Sequence, residues 1–228
     1  MNKSYFEILR PGINTTIQDE GRYNLYHIGV SVSGAIDQRN YKLANSLVGN
    51  NLNEAVIEFA YQGPHLKLKN AKINFAITGD ILFKIIRKNS KIEEGECYRN
   101  YLLEEGDQLD IISTKKSAYG YLSVGGGLEL QKLWKSYSTN TKAKIGSNNG
   151  NKFSSDDKIF ISNSDVKNFL EKKIDYKALI DNTIRVIKGT NFDYFSKQAT
   201  ENFFNNEFQV TNLADRMGIR LKGHEIEN

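Results

Sequence analysis

An amide, a carboxylate and a guanidinium crowd into one short stretch of this chain. Gln18, Asp19 and Arg22 follow the hydroxyls of Thr15 and Thr16, and Gly12 and Gly21 bracket most of the cluster. A guanidinium so placed can grip a carboxylate or a phosphate with two parallel hydrogen bonds, while Asp19 orients it or coordinates Mg²⁺. The same residues suit a polar turn in which Asp19 and Arg22 merely pair at the surface. A second cluster, Gly29-Val30-Ser31-Val32-Ser33-Gly34-Ala35-Ile36-Asp37, lets backbone N–H groups approach an anion, with the Ser33 hydroxyl as a further donor. It equally suits a loop that caps a helix through Asp37. Ser138 and Thr139 open a polar loop, either as ligand contacts or as loop caps. Asp215-Arg216-Met217-Gly218-Ile219-Arg220-Leu221 sets two arginines four apart, as a salt-bridged corner or as an anion grip.

Short strands must carry these groups. The pattern predicts strands over Tyr5–Leu9, Val56–Ala60, Lys72–Ile77, Ile81–Ile86, Gln108–Ile112, Tyr119–Val124, Lys158–Ile161 and Thr183–Ile187. Turn signals separate them, among them Gln62-Gly63-Pro64, Glu94-Gly95-Glu96 and Glu105-Gly106-Asp107. Close spacing of this kind favours a barrel or sandwich over strands alternating with long helices. One helix is predicted over Gln38–Val48, with Asp37 as N-cap, Gly49 just past its end, and Tyr41, Ala44, Leu47 and Val48 on one face. Two more are expected over Asp165–Lys172 and Ser196–Asn205, the latter burying Phe195, Phe203 and Phe204. Ser138–Ser155 is rich in Gly, Asn, Ser and Thr and reads as a long loop. A lobe boundary is expected near residues 175–182.

Composition narrows the chemistry. In 228 residues the net charge is +4, with 39% hydrophobic and 11% aromatic residues, which suits a folded chain with a core. The one cysteine, Cys97, excludes an intrachain disulfide framework and a multi-cysteine zinc site, and reads as an inert thiol. His27, His65 and His224 are too dispersed to suggest an all-histidine metal site. No G-x-x-x-x-G-K-[ST] loop and no G-x-S-x-G elbow occurs, and Val124-Gly125-Gly126-Gly127 reads as a close-packed turn rather than a dinucleotide fingerprint. Lysines are scattered rather than striped, so neither nucleic acid nor a membrane is an expected partner. With no secretory signal after Met1, a cytoplasmic setting is expected.

Several segments together, in order, resemble one family. They are Thr15–Arg22, Gly29–Asp37, Ala44-Asn45-Ser46-Leu47-Val48-Gly49-Asn50, Ile57-Glu58 with Gly63-Pro64, Ile77-Thr78-Gly79, Tyr121–Val124, Ser138-Thr139 and Asp215–Leu221. The series is similar to the C-type component of 5-oxoprolinase, also called allophanate hydrolase subunit 2, of the biotin-dependent carboxyltransferase-like group. The resemblance implies a mainly β, cyclophilin-like β-barrel architecture with a few short helices, spanning residues 1–228. It implies one component of a complex in which a B-type partner protein joins it in using ATP and Mg²⁺ to activate 5-oxoproline, while an A-type partner protein helps open the ring to glutamate. A carboxyltransferase of the urea carboxylase kind is the alternative, though this sequence has no biotin-carrier segment and no bound biotin is expected. A non-catalytic interaction module is a third reading.

The resemblance, carried over residue by residue, matches these motif positions, and side-chain chemistry at them points to Asp19, Arg22 and Asp37 as catalytic. It points to Gln18, Ser33, Gly34, Asn45, Ser138, Thr139, Arg216 and Arg220 as binding substrate or nucleotide. Ser31 stands where the family pattern usually has proline, and the Ser138 and Gly146 loops lack the arginines that usually accompany them. Family members continue into further strands beyond Leu221, so a C-terminally shortened domain is expected from the stretch ending at Asn228.

Overall fold

A computed structural model describes residues 3–162, 166, 168–177, 183–216 and 218–226. The chain divides into two compact units, Met1–Tyr176 and Lys177–Asn228. In the first, the elements run β1 (Tyr5–Arg10), β2 (Asn14–Gln18), α1 (Gln38–Val48), β3 (Val56–Ala60), β4 (His65–Lys69), β5 (Ile73–Thr78), β6 (Ile81–Ile86), β7 (Ile92–Glu94), β8 (Asn100–Leu103), β9 (Gln108–Thr114), β10 (Tyr119–Val124) and β11 (Lys158–Phe160). They form a six-stranded sheet, β11-β1-β4-β9-β6-β7, and a five-stranded sheet, β2-β3-β10-β5-β8, antiparallel at every pairing. The mainly β expectation holds, and among the described residues the strands lie in two open sheets rather than one closed ladder.

The two sheets bury one face of each against the other. Phe6, Ile8, Leu66, Leu68, Phe83 and Ile111 from the six-stranded sheet meet Ile17, Ile57, Phe59, Phe75, Ile77 and Leu122 from the other. In β4 and β6 buried residues alternate with more exposed ones, as in an antiparallel sheet with one face toward water. β3 differs, because all five of its residues are buried. α1 lies over β5 and β10, where Tyr41 and Ala44 cluster with Val56 and Tyr121, and Leu47 and Val48 with Ala76. The chain entering α1 covers the second face of β3 through Ala35 and Ile36.

α1 forms as its sequence dictates. The Asp37 carboxylate accepts from the Asn40 backbone N–H at 2.9 Å and from the Asn40 side-chain amide at 2.6 Å. Gly49 takes φ +80 and returns its N–H to the Asn45 and Ser46 carbonyls, closing the helix. Below it, Asn45 is wholly buried. Its Nδ2 donates to the Leu52 and Glu54 carbonyls at 3.3 and 2.8 Å, and its Oδ1 accepts from Ser123 Oγ at 2.6 Å.

Both outer strands of the five-stranded sheet are covered by chain with little regular structure. Thr139 and Phe153 donate their N–H groups to Ile17 and Thr15 of β2. At β8, Asn100 bonds Leu170 and Lys172, Arg99 bridges Lys173, and Ile174 donates to Tyr98. This corrects the helix expected over Asp165–Lys172: residues 168–172 are not helical, because their backbone finds partners along the sheet edge instead. Asp165 and Lys167 lie outside the described residues.

The second unit holds α2 (Lys197–Asn205), β12 (Phe208–Asp215) and β13 (Gly218–Gly223), the last two paired antiparallel. Ser196 caps α2, its Oγ accepting from Ala199 N at 3.0 Å. The face expected to bury Phe195, Phe203 and Phe204 is instead 39–60% exposed at those rings, and Ala199 is the residue of α2 that is buried. These phenylalanines line an apolar cavity of about 530 Å³ with Val186, Ile187 and Ile226. Thr183–Ile187 is not a strand, and Ile184 and Ile187 are largely exposed. No helix among the described residues is long and apolar enough to cross a membrane.

Asn45 joins the end of α1 to the following turn and to β10, so its removal tests that joint. Asn45→Ala is expected to lower the unfolding free energy by about 2 kcal/mol, since buried carbonyls lose their donors. Urea unfolding measures this, and a change below about 0.5 kcal/mol would show the amide to be dispensable.

Candidate functional site

The polar row on the outer face of the five-stranded sheet is the floor of the site. Register sets Thr16 opposite Glu58, Glu58 opposite Tyr121 and Tyr121 opposite Thr78, and all four are buried. Three of them secure a loop or helix above. Glu58 accepts from the Ile36 N–H at 2.9 Å, the Tyr121 hydroxyl accepts from the Asp37 N–H at 2.7 Å, and Thr78 donates to the Asn40 carbonyl at 2.8 Å. The chain entering α1 is therefore held from beneath.

Asp19 follows β2 and is 5% exposed. Its carboxylate accepts four hydrogen bonds, from the Gly21 and Tyr137 backbone N–H groups and from the Ser136 and Ser138 hydroxyls. Its backbone N–H meets Ser138 Oγ at 3.1 Å, and its carbonyl accepts from the Ala35 N–H at 2.8 Å. Three loops thus converge on one residue. Three of these bonds fall on Oδ1 and one on Oδ2, so most of the carboxylate is engaged by the protein. Asp19 is in this arrangement a positioning residue that ties three loops together.

Arg22 is 1% exposed, so it is no partner in a surface pair. Its Nη1 donates to Ser33 Oγ at 3.3 Å and its Nη2 to the Ser138 carbonyl, while Nε is buried and has no partner among the described residues. Burial lowers its pKa, and the Asp19 charge opposes that only in part. A buried cation held by a hydroxyl and a carbonyl, with no carboxylate in contact among the described residues, suits a partner oxygen supplied from outside.

Glycines let the loops approach this closely. Arg22 N–H bonds the Val32 carbonyl where the 19–22 and 32–35 segments cross. A Cβ on Gly34, at φ +84, would sit 2.6 Å from the Glu20 carbonyl oxygen. One on Gly146 would fall 2.9 Å from Arg22 Nη2. Ser33 holds φ +59 despite its side chain, an uncommon conformation for a residue with a Cβ.

The structure brings Gln18, Asp19, Arg22, Ser33, Gly34, Ser138 and Thr139 together. Gln18 Nε2 donates to Thr16 Oγ1 and to the Thr139 carbonyl, each at 3.0 Å, and its Oε1 is buried without a partner among the described residues. Thr139 Oγ1 donates to the Ser147 carbonyl. Asp37 serves as the helix cap and Asn45 as a strut, with hydrogen bonds to protein groups from both. Arg216 and Arg220 belong to the second unit, at the β12–β13 turn and in β13. Burial lowers Arg216 to about 10, and Arg220 is exposed. Met217 lies outside the described residues. Ser136 and Tyr41 are site residues that the sequence did not single out as such. Ser136 sits two positions before Ser138, and that pairing was the available signal. Cys97 is half-buried, and burial pushes its thiol up to about 11.

Residues 28–228 match the carboxyltransferase domain, subdomain A and B. The chain is 28% identical over 222 residues to the C-type component of 5-oxoprolinase from Haemophilus influenzae, covering 97% of this chain and 69% of that protein. It is 31% identical over 229 residues to urea amidolyase of Saccharomyces cerevisiae, covering 95% of this chain and 12% of the larger one. Among solved structures, that of TTHA0988 superposes with a TM-score of 0.82 at 25% identity, over 98% of this chain and 80% of that one.

Asp19→Ala would leave several buried donors without an acceptor and free three loops at once. An unfolding free energy lower by about 3 kcal/mol is expected, together with faster proteolysis between residues 135 and 150. Stability within about 0.5 kcal/mol of the parent would contradict the positioning role.

Proposed function

The chain belongs to the carboxyltransferase domain family, subdomain A and B, and from that premise we propose that it serves as one component of an ATP-dependent assembly that opens 5-oxoproline to glutamate. Its likeness along 97% of its length to a relative named as the C-type component of 5-oxoprolinase supports this reading. The observation that carries the chemistry is Arg22, a buried guanidinium with an unused Nε and no carboxylate in contact among the described residues. Such a group stabilises an oxygen that gains negative charge as the lactam is activated, because a fixed donor in a dry site needs no reorganisation. Asp19 keeps the Ser136–Ser138 loop, and with it the Ser138 carbonyl that orients Arg22, in place.

In this reading the chain and a B-type partner protein activate the lactam with ATP in the cytoplasm, and an A-type partner protein completes ring opening. Mg²⁺ accompanies the ATP in this reading. The described residues contain no cluster of three acidic, histidine or cysteine side chains suited to a metal. One observation favours a second reading, carboxyl transfer to urea from a separate biotin carrier: the 31% identity to urea amidolyase along 95% of the chain.

Reconstitution with homologues of the A-type and B-type partners tests both. ATP-dependent glutamate release from 5-oxoproline should require this chain. Arg22→Lys keeps the charge but loses the planar fork, and should lower kcat/KM about 100-fold with the complex intact. An undiminished rate would remove Arg22 from the substrate. Carboxylation of urea in place of glutamate release would establish the second reading. A stable complex without either activity would make the chain an interaction module.

A further inference from the structure

Three buried polar atoms around Asp19 have no partner among the described residues: Gln18 Oε1, Arg22 Nε and Tyr41 OH. Their residues are 0%, 1% and 0% exposed. Leaving one such group unpaired is unfavourable, and three in one neighbourhood point to something that pairs them. The neighbourhood follows from contacts. Gln18 and Arg22 anchor on the successive carbonyls of Thr139 and Ser138, so both side chains reach the same loop. Tyr41 packs on Val56, the cross-strand partner of Gln18, and on Ala35, whose N–H is bonded to Asp19.

The three atoms differ in kind. Arg22 Nε can only donate. Gln18 Oε1 can only accept, and its orientation is fixed, because the Thr139 carbonyl requires the amide nitrogen to face it. The Tyr41 hydroxyl stays protonated, since burial and the charges of Asp19, Glu20 and Glu54 all push its pKa up. It is therefore available as a donor. A carboxylate would satisfy Arg22 and Tyr41 but set a negative oxygen against Gln18 Oε1. A lactam or ureido edge answers all three, offering a carbonyl oxygen to the two donors and an N–H on the same side to the acceptor.

We infer that Gln18, Arg22 and Tyr41 form the recognition subsite for the cis-amide edge of the substrate, with Gln18 reading its N–H and Tyr41 and Arg22 its carbonyl oxygen. The assignment rests on the lactam reading above. Entry runs past Ser33, whose partly exposed hydroxyl covers Arg22 at 3.3 Å from a left-handed backbone conformation, the contact most readily given up.

The hydroxyl of Tyr41 makes the assignment testable, because in the free protein it bonds nothing among the described residues that Phe would lose. Tyr41→Phe should leave the thermal midpoint of the full chain unchanged or raised, and weaken binding of 2-pyrrolidinone about tenfold by protein-observed NMR titration. N-methyl-2-pyrrolidinone, which keeps the carbonyl but lacks the N–H, should bind the parent protein at least about tenfold more weakly than 2-pyrrolidinone. Equal affinity for the two lactams would overturn the role of Gln18. A lowered midpoint in Tyr41→Phe would show that a structural water already satisfies the hydroxyl, and would overturn its role. If the reconstituted assembly turns over 5-oxoproline and Tyr41→Phe keeps the parental kcat/KM, the subsite fails while the function stands. If neither lactam binds and the assembly releases no glutamate, the function fails with it.

Discussion

A single buried carboxylate that accepts four hydrogen bonds holds the site in shape. Asp19 receives two backbone N–H groups and two hydroxyls, drawn from its own turn and from the Ser136–Ser138 loop, while its carbonyl takes the Ala35 N–H from a third segment. None of these segments has regular structure of its own. Each would otherwise fluctuate among many conformations, at an entropic cost that a helix or ladder normally offsets. Charge-assisted hydrogen bonds to one buried anion do that work here, and they are stronger than neutral ones. Arg22 depends on the result, since one of its partners, the Ser138 carbonyl, belongs to the loop that Asp19 fixes.

The five-stranded sheet is unusual in being loaded on both faces. Its inner face is apolar and makes the core, whereas its outer face presents a polar row to the chain entering α1. Burying polar groups there is tolerable because they bond backbone groups above them. A rigid sheet and a set of irregular loops are joined by directional bonds rather than by hydrophobic contact alone, which sets side-chain positions more sharply than packing can.

α1 was legible to the residue, because Asp37, Gly49 and the Tyr41-Ala44-Leu47-Val48 stripe are local signals that act within the helix itself. β2 was not. Its Thr15-Thr16-Ile17-Gln18 stretch is buried on both faces with polar side chains, so it lacks the alternation that marks a half-exposed strand. The segment after Asp165 misled for a related reason: its conformation is decided by the edge of β8, far away in sequence. At the site, Asp19, Arg22 and Ser138 stood out by type and spacing. That Asp19 gathers four donors could not be read, since three of them come from more than a hundred positions downstream. Tyr41 looked like a core aromatic, and its ring is one; only the hydroxyl at its tip has no place in an apolar cluster.

The covering of β8 has a bearing on how the molecule lasts. An uncovered strand of this sheet would present a row of free N–H and C=O groups, the template on which neighbouring molecules stack into fibrils. Asn100 blocks it with an amide bonded at both ends to the Leu170–Lys172 segment, and a stacked pair of rings, Tyr98 on Tyr176 at 4.1 Å, pins the covering segment further along. A handful of residues that carry no part of the chemistry thereby guard the sheet edge against pairing with a second molecule.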